Sequence, residues 1–193
     1  MNEIKSDSLI DKLTIGTNRS WLWGKTNILL WRDARISEEL NFFKVEKENS
    51  KWITSSEKGF NSKHNLDYVK KNIDFVFEDS WKTQILQTNI KWNGIIFHAI
   101  AVAKFIAPQS QIHLIGVDLE NKPNQHHFFA NYPGFNQGFY KKSWDEDYFH
   151  FQKRLDMMLK NFDKLQKSGV SFINHSKNSR LTELFGYEEL SND

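Results

Sequence analysis

Cysteine is absent from the 193 residues, which excludes disulfides, thiolate nucleophiles and cysteine-ligated zinc or iron–sulfur centres. Proline and glycine are scarce, at 3 and 9, so a collagenous or Pro/Gly-rich disordered chain is excluded as well. Charge of one sign is also lacking. Against 26 Lys and Arg stand 24 Asp and Glu, a formal +2, which gives nucleic acid no bulk charge to grip. No hydrophobic run reaches the ~20 residues of a bilayer span. The longest, Ile95 to Pro108, is interrupted by His98 and Lys104. Met1 to Lys12 is polar, without the apolar stretch of a signal peptide. The expectation is a cytoplasmic protein with no membrane span and no nucleic-acid partner.

Aromatic residues, by contrast, are plentiful, at 15% with 16 Phe and 7 Trp. Many fall between Phe128 and Phe151, where rings can stack on a base or sugar or, as the favoured reading, form a satellite core under a loop.

The length suits one domain, residues 1–193. Strand signals occur at Leu13 to Gly16, Asn27 to Trp31, Lys51 to Thr54, Ile73 to Phe77 (then Glu78-Asp79), Ile112 to Val117 and Val170 to Ile173. Ile95 to Ile106, with Ala99, Ala101 and Ala103, reads as a buried helix stopped by Pro108. Phe151, Leu155, Met158, Leu159, Phe162 and Leu165 recur at helical spacing up to Ser168-Gly169. A short helix is expected over Ser179 to Phe185. Strands alternating with helices predict an α/β domain with a mostly parallel sheet.

In open parallel sheets ligands sit beyond the carboxyl ends of the strands, near a switch point. The residues expected there are Asn18, Asp33, Ser55, Asp118 and Asn174 to Ser176, with the long loop Asn121 to Gly138 over the same edge. Asp118 can hold a metal on a nucleotide's phosphates or a ribose hydroxyl, or simply support the loop. In the His126-His127 pair, either ring can act as a general base, or both can be surface hydrogen-bonders. Arg19 can meet phosphate and Asn18 a sugar or base edge, or the pair can be a helix cap with an exposed Arg. Asn174 and Ser179 bracket a donor-rich stretch before a helix that can hold an anion, or Ser179 is a plain cap. His98 and His113, inside apolar elements, read as satisfied core histidines. Walker A, Gly-x-Gly-x-x-Gly, Gly-x-Ser-x-Gly and zinc signatures are all absent.

Trp92-Asn93-Gly94 opening a small-residue helix, then Ile112 to Leu119 with its Gly-Val-Asp, form a pattern with His126 to Phe129, Tyr132-Pro133 and Gly169 to Phe185. With Ile15 to Arg19 and Ile28 to Asp33, this resembles a superfamily joining MptE-like 6-hydroxymethylpterin pyrophosphokinases to bacterial lipooligosaccharide sialyltransferases, phage-encoded members of unassigned role included. The resemblance implies a Rossmann-like sheet binding a nucleotide or nucleotide-sugar. It places Asn18 on the nucleotide, Asp118 at the strand end facing it, and His127 or His126 as the base. Family members begin with a strand and a Gly-x-Gly-Pro-Ser-Leu turn. Residues 1–12 carry no such turn and are expected to be a loose segment.

The leading expectation is a glycosyltransferase using a nucleotide-sugar donor, with His127, His126 and Asp118 catalytic. Asn18, Arg19, Asp33, Asn174 and Ser179 would bind the donor, and Asp118 would carry an optional Mg²⁺. The alternatives are a Mg²⁺-dependent pyrophosphokinase and a non-enzymatic phage accessory or virion protein, which would work in the host cytoplasm. A homo-oligomer stays open.

Overall fold

A computed structural model of the chain describes residues 9, 11–22, 24–56, 58–90, 94–117, 119 and 144–190, with the backbone alone over 144–152. The architecture is α/β and Rossmann-like: a four-stranded parallel sheet and a two-stranded parallel sheet, flanked by helices. The chain gathers into two compact units, one of residues 1–112 with 190–193, the other of residues 113–189.

The first unit holds β1 (Ile15–Thr17), β2 (Ile28–Trp31), β3 (Lys51–Ser55) and β4 (Phe75–Phe77). They lie side by side in chain order, all parallel. Alternation along β2 explains the layers, because successive side chains leave opposite faces of a strand. Leu29 and Trp31 pack with Trp52 against Ile36 and Leu40 of α1 (Ala34–Phe43) and Val69 of α2 (Asp67–Asn72). A third helix, α3 (Trp81–Leu86), follows β4. Ile28 and Leu30 pack on the other face with Phe77 and with Ala99 and Val102 of α4 (Ile95–Ile106).

Local chemistry fixes the helix ends. The Asp33 carboxylate caps α1 by accepting from the Arg35 backbone N–H at 3.0 Å. Lys44, at φ 49°, closes the helix in the left-handed region. Sequence periodicity marks α4 to the residue but does not mark α1, α2 or α3. The buried face of α1 is Ile36, Ser37 and Leu40, only two of them apolar. Both α2 and α3 have 6 residues, too few for a helical period to register.

Gly59 sits against the end of β3, where a Cβ would stand 2.0 Å from Thr54 Oγ1 and 2.8 Å from the Ser55 carbonyl. Only glycine lets the chain pass this close.

β5 (Ile112–Leu114), which opens the second unit from its second residue, pairs with β6 (Phe172–Asn174), and the His175 N–H donates to the Leu114 carbonyl at 2.9 Å. The long helix α5 (Trp144–Lys167) contributes buried Leu155, Phe162 and Leu165. It begins 7 residues before Phe151, where sequence periodicity starts. Phe162 meets Phe172 edge-on at 5.5 Å and Phe185 of α6 (Thr182–Phe185) at 6.1 Å.

The expected strand Ile112 to Val117 is shorter, ending at Leu114. Gly116, at φ 66°, turns the chain there. Val117 then pairs with side chains instead of a strand: its N–H donates to Ser176 Oγ at 3.2 Å, and its carbonyl accepts from Ser179 Oγ at 2.5 Å.

Candidate functional site

Parallel register fixes where the strands let go. Thr17 pairs with Leu30, Trp31 with Thr54 and Ser55 with Phe77, so all four carboxyl ends lie along one edge of the sheet. In chain order β1 to β4 the described strands of this sheet show no reversal. The edge therefore supplies the ligand-facing side of a parallel sheet without a switch point between those strands.

Three of the expected site residues meet at the β1 and β2 exits. Asn18 stands directly after β1 with φ 51°. Arg19 clamps Glu39 of α1, its Nε donating at 2.8 Å and Nη2 bonding the other carboxylate oxygen. Both side chains are largely covered, so Arg19 is tethered rather than exposed as the capping alternative would have it. Burial pushes the Glu39 carboxyl above its ordinary value, and Arg19 only partly offsets it. Burial acts on Asp33 too, but its hydrogen bonds and ion pair to Arg35 outweigh that and hold its carboxyl low.

Asn174 and Ser179 come together in the second unit, and both serve the backbone. The Asn174 amide donates to the Gly186 carbonyl at 3.0 Å and the Ser176 carbonyl at 3.2 Å, while its oxygen accepts from the Ser176 N–H. Ser179 accepts from the Leu181 N–H as well as donating to Val117. Asp118, His126 and His127 lie outside the described residues, as do the aromatic rings of the loop.

At the β2 and β4 exits stands a cluster that sequence patterns do not announce. Asp79, two residues beyond β4, is its hub. Arg32, the first residue after β2, donates from Nε to Asp79 Oδ1 at 2.8 Å and from Nη2 to Oδ2. Ser55 Oγ lies 3.5 Å from Oδ1, and His98 Nε2 lies 3.8 Å from it. Lys82 of α3 turns back so that Nζ donates to the Asp79 backbone carbonyl at 2.9 Å. Burial raises the Asp79 carboxyl, but Arg32 outweighs it and the net direction is down.

Two members of the cluster are poorly compensated. Lys82 is 3% exposed, and its ammonium makes a single hydrogen bond, to a carbonyl, among the described residues. Burial, with Arg32 adding to it, lowers its proton affinity against the pull of Asp79. His98 is 0% exposed and packs against Phe77, the two rings tilted with centroids 4.6 Å apart. Neither of its ring nitrogens has a well-formed hydrogen bond among the described residues. Its proton affinity is pushed down to about 4 by burial and then by Lys82 and Arg32, with Asp79 and, least, the Gly94 backbone opposing. The Gly94 contact is too poor in geometry to satisfy the ring. His98 is therefore buried, as a core histidine should be, but not satisfied. His113 is exposed rather than core, and its Nδ1 faces His175 Nε2 at 2.8 Å.

Of this cluster Arg32, Ser55 and Asp79 are marked in the sequence only as strand exits and His98 only as a core histidine. Lys82 carries no mark, because nothing local announces a lysine folded inward. Among the described residues no group of three or more His, Asp or Glu is placed to hold a metal. With Asp79 and Asp33 committed to guanidinium groups, the donors described at this edge do not fit a divalent cation. Comparison with family models, curated proteins and solved structures finds no match for the chain.

Proposed function

We propose that the protein is a transferase-like enzyme, a glycosyltransferase that lays a nucleotide-sugar donor along the carboxyl edge of its four-stranded sheet. The observation that carries the reading is the edge itself. Four parallel strands in register release Asn18, Arg32, Asp33, Ser55 and Asp79 on one side, where an open α/β sheet holds its ligand. The resemblance to nucleotide-sugar transferases supplies the donor class.

Transfer from such a donor needs a base to take the acceptor's proton and positive charge to meet the departing phosphate. The resemblance assigns the base to His127 or His126. Arg19 at the β1 exit, or a divalent ion on Asp118, is the positive charge this reading assigns to that role.

A thermal-shift panel of CMP, CDP, UDP, GDP and ATP, each with and without Mg²⁺, tests this. Stabilisation by CMP or a nucleoside diphosphate without Mg²⁺ is expected, and Asp118→Asn should weaken it. Stabilisation by ATP with Mg²⁺ alone would instead select the pyrophosphokinase chemistry. Silence across the panel would overturn the transferase reading.

A further inference from the structure

From the finish of the outer strand β4 we infer that two copies of the chain pair antiparallel, β4 against β4, and join their parallel sheets into one.

The two outer strands of the sheet are β1 and β4, and they are finished differently. In β1 every residue is buried or half-buried. In β4 the Phe75 and Val76 side chains are 61% and 50% exposed, and they leave opposite faces of the strand. Among the described residues no strand lies beyond β4. An outer strand offers N–H and C=O groups for pairing, and proteins guard it with lysine, proline or a bulge. Phe75-Val76-Phe77 has none of these, being uncharged and paired one-to-one with β3. Phe77 packs with Ala99 and Val102 of α4, and on that same helix Phe105 and Ile106 stand exposed as well.

Charge selects the occupant. Where β4 begins, Lys47 and Lys51 share the single carboxylate of Asp74, so that end carries surplus positive charge. Where β4 lets go stands Glu78, exposed and without an ion pair among the described residues. A strand that is positive where it starts and negative where it ends is matched by an antiparallel copy of itself. A two-fold axis through Val76 makes the contact self-complementary. It sets Phe75 against the partner's Phe77 on one face and Val76 against the partner's Val76 on the other, and such cross-strand pairs stabilise a sheet. Glu78 then comes beside the partner's Asp74 and the two lysines that outnumber it. A parallel copy would instead bring like ends together. The three residues of β4 make a small contact, so the dimer is weak, with a Kd in the micromolar range.

Sedimentation velocity on the full chain over a dilution series tests this. The mean mass should climb from monomer to dimer through the micromolar range and stop there, because a two-fold contact closes. Val76→Lys should stay monomeric at every concentration and keep the Tm of the dilute wild type, since that side chain is half exposed. Should Val76→Lys fail to fold, Glu78→Lys, altered at an exposed side chain, serves the same comparison. Glu78→Lys creates two like-charge contacts per dimer and should weaken it about tenfold, and adding Lys51→Glu should restore it. A wild type that stays monomeric to the top of the series, or a dimer that survives Val76→Lys undiminished, would overturn the inference. A loss in Glu78→Lys that Lys51→Glu does not rescue would overturn the antiparallel register.

Discussion

Ser37 shows how much one small side chain can organise. Buried in α1, it accepts from Trp31 Nε1 at 2.7 Å and donates to the Gly59 carbonyl at 2.5 Å. It thereby joins the end of β2, the first helix and the glycine turn after β3. Ser37→Ala leaves an indole N–H and a carbonyl unpaired in the core, each costing roughly 1–3 kcal/mol. The expected loss is about 2–4 kcal/mol in urea unfolding, without change in the slope. Ser37 also explains why α1 escapes a periodicity search, since a polar residue stands on its buried face. Gly59→Ala should be as harmful, because the new methyl would have to displace Thr54 and the backbone at Ser55. Circular dichroism melts of the two variants would check both.

At the scale of elements, two stretches of chain are held by carboxyl or hydroxyl groups with different consequences. Asp33→Ala removes the α1 cap and should cost about 1 kcal/mol, with the Arg35 ion pair adding little because it is exposed. Ser176→Ala instead frees the Val117 N–H from its partner, so hydrogen exchange at that amide should accelerate while β5 and β6 stay protected. Unchanged exchange at Val117 would mean that its protection comes from elsewhere.

These elements also show what a sequence can tell. Strand β2 and helix α4 are legible because burial on both faces of the strand, and nearly all round the helix, writes itself as continuous apolar runs. Strand β4 is legible for a different reason, since Phe75 and Val76 keep the apolar, β-favouring signature while standing exposed. Strand β5 reads too long because Ile115 to Val117 include two apolar residues, yet Gly116 and the two serines turn the chain away. Asn174 and Ser179 stand out as dense in donors, but only the fold reveals that the backbone consumes them. The Asp79 cluster is the least legible part. Its members come from the exits of three strands and from two helices, so only the fold brings them together.

For the molecule as a whole, the buried His98 makes stability depend on pH. Folded, it takes a proton only near pH about 4, whereas an unfolded histidine does so near 6.5. Between those values the unfolded state binds the extra proton, so stability rises with pH across the window and is lost on acidification. The groups facing the ring are Lys82, Arg32 and Asp79. Asp79, held low by Arg32, contributes in the same direction, its share fading as pH falls through its depressed value. The full effect of His98 is about 3 kcal/mol. Denaturant unfolding at pH ~7.5 and ~4.5 should show most of it, and His98→Leu should flatten the curve. An equally steep curve in that variant would assign the acid sensitivity to the carboxylates alone.

The order of the four-stranded sheet carries a consequence for how the molecule is made. Each strand pairs with the one before it in the chain, so the first unit asks for no distant segment to complete this ladder. During synthesis β2 can dock on β1, β3 on β2 and β4 on β3 as each leaves the ribosome, every step closing a short stretch of chain. A parallel sheet is ordinarily slow to form because its pairings are remote. The chain order itself removes much of that delay, and the edge that gathers the polar strand ends is complete once Asp79 and Lys82 have followed β4.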